Sequence, residues 1–101
     1  MAGIEPQFVT SATVKRRIRI FRDVIDERDR QDMLKRQGKF KFSCADPNCH
    51  EFNDKDRCII LGEEIGEVCR AVNEDEPQIR LREELIQVIA VATAWIEHID
   101  G

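Results

Sequence analysis

Glu64 and Glu67 stand three residues apart in the run LGEEIGEV, and Glu84 and Gln87 repeat that spacing in LREELIQV. On a helix, residues at i and i+3 share a side, so each pair presents its oxygens together. Three carboxylates and an amide drawn into one small volume would repel and lose hydration, and a divalent cation offsets both costs. An all-oxygen donor set is hard and suits Mg²⁺ or Mn²⁺ rather than zinc. The plain alternative is that these are surface acids on helices rich in glutamate, because Glu63, Glu74, Glu76 and Glu83 lie among them.

Bringing the two pairs together requires two helices that fold back on each other. From Asp54 to Val72 the residues Cys58, Leu61, Ile65, Val68 and Val72 recur at helical spacing and predict a buried stripe, with Glu64 and Glu67 beside it. Asn73 is placed to end this helix, and Asp75, Glu76 and Pro77 are residue types that open the next. So short a connection predicts an antiparallel helix hairpin. With Asp75 at its tip, Glu67 lies eight residues before and Glu84 nine after, while Glu64 lies eleven before and Gln87 twelve after. The pairs therefore meet at matching heights, and Glu84, between Leu81 and Val88 in the helical pattern, points partly inward.

The last helix, expected to continue to about Asp100, is apolar over most of its circumference: Leu81, Leu85, Val88, Ile89, Val91, Ala92, Trp95, Ile96 and Ile99. One small domain cannot bury so much, so part of this helix is expected to pack against another subunit. A first helix is predicted from about Thr13 to Gln37, where Val14, Ile18, Phe21 and Ile25 form one stripe. Thr10 or Ser11 can cap its start, and Gly38 stands where a left-handed stop belongs. Its basic residues alternate with acids (Arg19 with Asp23, Arg22 with Asp26, Asp26 with Arg30), which describes a solvated ion-pair face rather than a nucleic-acid patch. Residues 1–10 read as a loose arm and 39–53 as a loop. The expected architecture is a single all-α domain over residues 1–101, a helical bundle built on an antiparallel hairpin and completed by oligomerisation.

With 101 residues, 42% hydrophobic and 36% charged, the chain suits one domain with a modest core. A net charge of −4 argues against nucleic-acid or membrane-surface binding. The opening MAGIEPQFVT lacks the pattern of a secretory leader, and no stretch is apolar enough to span a bilayer, so a cytoplasmic setting with reduced thiols is expected. Cys44, Cys49, His50 and Cys58 offer enough ligands for a zinc site, although their spacing is looser than usual zinc patterns and Cys58 also fits the stripe. Trp95 reads as a core or interface anchor, and His98 as a residue favouring the end of its helix.

The string LGEEIGEVCRAVNEDEPQIRLREELIQV resembles the core of the MazG-type nucleoside triphosphate pyrophosphohydrolases, the all-α NTP pyrophosphatase superfamily. Glu64-Ile-Gly-Glu67 matches that family's first E-x-x-E pair, and Glu84-Leu-Ile-Gln87 occupies its E-x-x-D pair, with Gln87 in place of the aspartate. The likeness covers about residues 54–100. It implies a Mg²⁺-dependent homodimer or homotetramer that splits a nucleoside triphosphate, such as a noncanonical one, into a monophosphate and pyrophosphate. Glu64, Glu67 and Glu84 would hold the cation, with Gln87 as a neutral fourth ligand, and one carboxylate would orient the attacking water. Lys39, Lys41, Lys55 and Arg57 flank the loop as candidate phosphate contacts. The charge lost at Gln87 also admits a weakened nucleotide-binding or regulatory module, and a purely structural helical oligomer is the reading from a different class.

Overall fold

The computed structural model describes residues 10–38 and 52–101, and within them three helices and no strand. Helix α1 runs Ser11–Arg36, α2 Asp54–Asn73 and α3 Gln78–Asp100. The expected boundaries are reproduced within about two residues, and each end has a local cause. Thr10 caps α1 by accepting the Thr13 amide at 3.0 Å. Lys35 and Arg36 complement the C-terminal dipole, and Gly38 takes a left-handed φ of +70° just beyond it.

Helix α2 opens on a capping box that the sequence analysis does not anticipate. Asn53 Oδ1 accepts from the Lys55 and Asp56 amides, and Asp56 Oδ2 accepts from the Asn53 amide at 3.0 Å. At its far end the Glu76 amide reaches Ala71 O and the Asp75 amide reaches Val72 O, with Asp75 at φ 52°. This is a Schellman stop in which aspartate occupies the left-handed position usually given to glycine. Pro77 then precedes α3, and its carbonyl accepts from Arg80 and Leu81.

Both α1 and α2 pack on α3, which lies between them. The core is small: Val24 from α1 meets Ile86 and Ala90 from α3, with Ile20 packed alongside, and Ala90 is completely buried. Two ion pairs tie α1 to α3, Asp23 with Arg82 at 2.6 Å and Arg28 with Glu97 at 2.9 Å. Asp23 thus pairs across helices rather than with Arg19, and Arg30 pairs with Glu27 rather than Asp26. The first turn of α2 is joined to the last turns of α3, where Trp95 Nε1 donates to Asp54 Oδ1 at 3.0 Å.

The structure corrects which faces are buried. On α2, Cys58, Ile65 and Val72 are exposed, and of the expected stripe only Leu61 and Val68 are partly covered. The face turned to the rest of the molecule is rotated onto Asp56, Arg57, Ile60, Leu61, Glu64, Glu67, Val68 and Ala71. Glu64 and Glu67 therefore belong to the packing face instead of flanking it. On α1 the whole predicted stripe is exposed, with Phe21 at 61%, while the inward line is Ile20, Val24, Glu27, Gln31 and Leu34. Each pair Ile20/Phe21 and Val24/Ile25 is one residue, about 100°, apart around the helix. On α3 the two most buried apolar residues, Ile86 and Ala90, lie outside the predicted set, whereas Leu85, Ile96 and Ile99 are exposed. No helix among the described residues is long and apolar enough to cross a membrane.

Candidate functional site

Because α1 and α2 both lean on α3 without packing on each other, an open cleft of about 540 Å³ lies between them. Helix α1 contributes Glu27, Arg28, Arg30, Gln31 and Lys35 to its walls. The segment around α2 contributes Phe52, Arg57, Ile60 and Glu64, and α3 contributes Gln87, Val91, Ala94, Trp95 and His98. This volume falls in the range of small-molecule sites. Its walls combine apolar floor, aromatic rings and both signs of charge.

At the acidic end, Glu64 is half-buried and its Oε2 is shielded from solvent with no hydrogen-bond partner. Burial pushes its carboxyl above the usual carboxylate range, and the charges of Glu84, Glu67, Glu27 and Glu63 push it further. Three of the neighbouring carboxylates are differently placed, because Glu84, Glu67 and Glu27 each meet a guanidinium, that of Arg80 being shared between Glu84 and Glu83. Glu84, only 8% exposed, accepts from Arg80 Nη2 at 3.3 Å; Glu67 pairs with Arg70; and Glu27 takes two bonds from Arg30, from Nε at 2.8 Å and from Nη2. Gln87 is half-buried on the cleft wall. Glu83, beside Glu84 in sequence, faces solvent and pairs with Arg80.

A hard divalent cation is compatible with the chemistry of this set only in donor type: all donors are oxygens, and the buried Glu64 Oε2 has no hydrogen-bond partner. As placed, the side chains do not form a coordination shell. No group of three or more aspartate, glutamate, histidine or cysteine side chains among the described residues is arranged to hold a metal ion. Glu67 and Glu84 are turned to Arg70 and Arg80 instead.

Of the basic candidates, Arg57 lines the cleft, its guanidinium 4.8 Å from the centre of the Phe52 ring and 3.4 Å from Asp54. Lys55 is exposed and is not among the described lining residues. Lys39 and Lys41 lie outside the described residues, as do Cys44, Cys49 and His50 of the zinc alternative; Cys58 and Cys69 are exposed thiols. Trp95 is half-buried on the cleft wall, anchored through Asp54.

The residues that sequence reasoning does not single out are Glu27, Arg28 and Arg30. Their signal is present but weak: Ile20, Val24, Glu27, Gln31 and Leu34 follow helical spacing, and only the polar members hide the stripe. No protein-family model, curated protein or solved structure matches the chain.

Proposed function

We propose that this chain is a MazG-like, Mg²⁺-dependent nucleoside triphosphate pyrophosphohydrolase, releasing a monophosphate and pyrophosphate. The observation that carries the reading is the buried, unpartnered carboxylate oxygen of Glu64 among Glu67, Glu84 and Glu27 at the edge of a nucleotide-sized cleft. The sequence resemblance adds the E-x-x-E spacing.

In this reading Glu64, Glu67 and Glu84 hold the cation and Gln87 adds an uncharged oxygen. When bound, Mg²⁺ or Mn²⁺ neutralises charge on the phosphates and on the departing pyrophosphate. The chain's own residues do the rest. A carboxylate of the cluster would orient the attacking water and take its proton as the water oxygen bonds to phosphorus and the α–β phosphoanhydride bond breaks, the electron pair leaving with the pyrophosphate oxygen. Arg57 offers charge to the phosphate chain, and the Trp95 and Phe52 rings offer apolar surface to the base.

The antiparallel α2–α3 hairpin belongs to the same proposal, supported by the Glu74–Pro77 connection and by the Asp54–Trp95 bond at the opposite end. So does a cytoplasmic homodimer or homotetramer. Support for assembly comes from the bare stripe Val14, Ile18, Phe21 and Ile25 together with exposed Leu85, Ile96 and Ile99. A weakened nucleotide-binding module remains the second reading, favoured by Gln87 on the cleft wall and by the absence of a formed coordination shell among the described residues.

Incubation with a panel of canonical and modified triphosphates plus Mg²⁺ separates these readings. Pyrophosphate release that falls at least about 100-fold in Glu67→Ala supports the enzyme. Nucleotide binding without turnover selects the module, and neither binding nor turnover overturns both.

A further inference from the structure

The first turns of α1 leave both charge and apolar surface without a partner. Residues 11–22 carry Lys15, Arg16, Arg17, Arg19 and Arg22 and no acid, in a chain whose net charge is −4. All five cations are exposed, and none forms an ion pair with a described residue. Asp23, the first acid of the helix, is held by Arg82 of α3 instead of by Arg19. Among these cations Val14, Ile18, Phe21 and Ile25 stand bare. Like charges around an apolar stripe disfavour its pairing with the same stripe of another copy. They favour an acidic surface that also offers aliphatic groups.

The chain itself carries such a surface. The connection between α2 and α3 presents Glu74, Asp75 and Glu76 in succession, with exposed Val72 before them and exposed Ile79 after. Glu74 and Asp75 form no ion pair with a described residue, and Glu76 has the guanidinium of Arg80 at 4.0 Å. We propose that the basic start of α1 docks on the acidic α2–α3 turn of a second copy; this rests on the homo-oligomer reading above and names the two surfaces that meet.

The fold places both surfaces at one end of the molecule. Asp23 is tied to Arg82 near the start of α3 and Arg28 to Glu97 near its end, so α1 and α3 run in the same direction. Twelve residues of α1 precede Asp23, about 18 Å of helix, whereas four residues of α3 precede Arg82, about 6 Å. The start of α1 therefore reaches past the start of α3, toward the end where the α2–α3 turn lies. Two copies meeting end to end about a two-fold axis form the contact twice, each lending its α1 to the other's turn, and the assembly closes.

Sedimentation velocity over a range of concentrations tests this on the full chain, with circular dichroism confirming that each variant is folded. Arg19→Glu with Arg22→Glu is expected to weaken self-association at least about tenfold, and so is Glu74→Lys with Glu76→Lys. Mixing the two double variants is expected to restore association, because each contact then joins opposite charges again. If the unaltered chain assembles and neither reversal weakens it, the oligomer stands but joins through other surfaces, and this inference fails. It fails also if the α1 reversal weakens assembly and the mixture does not recover it, since α1 then meets a surface other than the turn. An unaltered chain that stays monomeric overturns the oligomer reading and this inference together. Binding of that monomer to anionic lipid vesicles, lost in Arg19→Glu with Arg22→Glu, would assign the α1 face to a membrane surface instead.

Discussion

The cleft wall and the outer face of α1 reverse the ordinary distribution of polarity. Toward the inside the chain turns Glu27, Glu64, Glu84 and Gln87; toward solvent it turns Val14, Ile18, Phe21 and Ile25. Each inversion costs stability in the isolated chain, the first through lost hydration of charge and the second through apolar surface left in water. Their difference is instructive. Of the inward carboxylates, Glu27 and Glu84 are paired with Arg30 and Arg80 while one oxygen of Glu64 has no hydrogen bond, whereas the outward stripe stays exposed among the described residues. Under the proposed reading the inner inversion is met by a divalent cation and the outer one by a second copy of the chain.

The largest expected effect breaks the outer half of this comparison. Ile18→Glu with Phe21→Glu places charge in the bare stripe and is expected to convert an oligomer to monomer in sedimentation velocity, because charges buried at an apolar interface cost several kcal/mol. The helical content measured by circular dichroism should be unchanged, since both residues are exposed and lie outside the core of Val24, Ile86 and Ala90. An unaltered chain that sediments as a monomer would remove the stripe as an assembly surface.

A smaller effect sharpens the inner half. Glu64 has its folded carboxyl raised above the ordinary value, so the folded state holds its proton more tightly than the unfolded state. Stability contributed by that proton is present at low pH and is lost as pH rises through the window between the unfolded and the raised folded value. Glu64→Gln removes this loss. Its melting temperature, measured without divalent ions, should exceed that of the parent by a few degrees at neutral pH, with the gap closing below the carboxylate range. Saturating Mg²⁺ should stabilise the parent and not the variant.

The sequence makes the helices readable because their punctuation is local. Thr10, Gly38 and the Asp75–Pro77 turn each act through one or two backbone groups, and each stands where its residue type predicts. The facing of the helices is less legible. An apolar stripe ordinarily marks the buried side, but here α1 buries a line interrupted by Glu27 and Gln31 and exposes its continuous apolar one. Ala90, completely buried, adds little hydrophobic signal because its value lies in letting helices approach. Glu64 and Glu84 stand out in the sequence through their i,i+3 spacing, whereas the burial of Glu27 follows from how α1 lies on α3, and its helical spacing with Ile20, Val24, Gln31 and Leu34 is only a weak signal of it. The Asn53–Asp56 capping box is local and follows from the residue types alone.

The smallest effect concerns the turn between α2 and α3. Asp75→Gly relieves the left-handed backbone at φ 52° and is expected to stabilise the fold by roughly 0.5–1 kcal/mol in urea unfolding, with no change in catalysis. Lost stability would mean that the aspartate side chain holds the turn in another way.

The most direct test of the central claim is product analysis of a nucleoside triphosphate incubated with the protein and Mg²⁺, comparing the parent with Glu64→Gln. Equimolar monophosphate and pyrophosphate from the parent, abolished in Glu64→Gln, is the predicted result. Orthophosphate and diphosphate as products, or equal rates from both proteins, would contradict the assignment of catalysis to this carboxylate cluster.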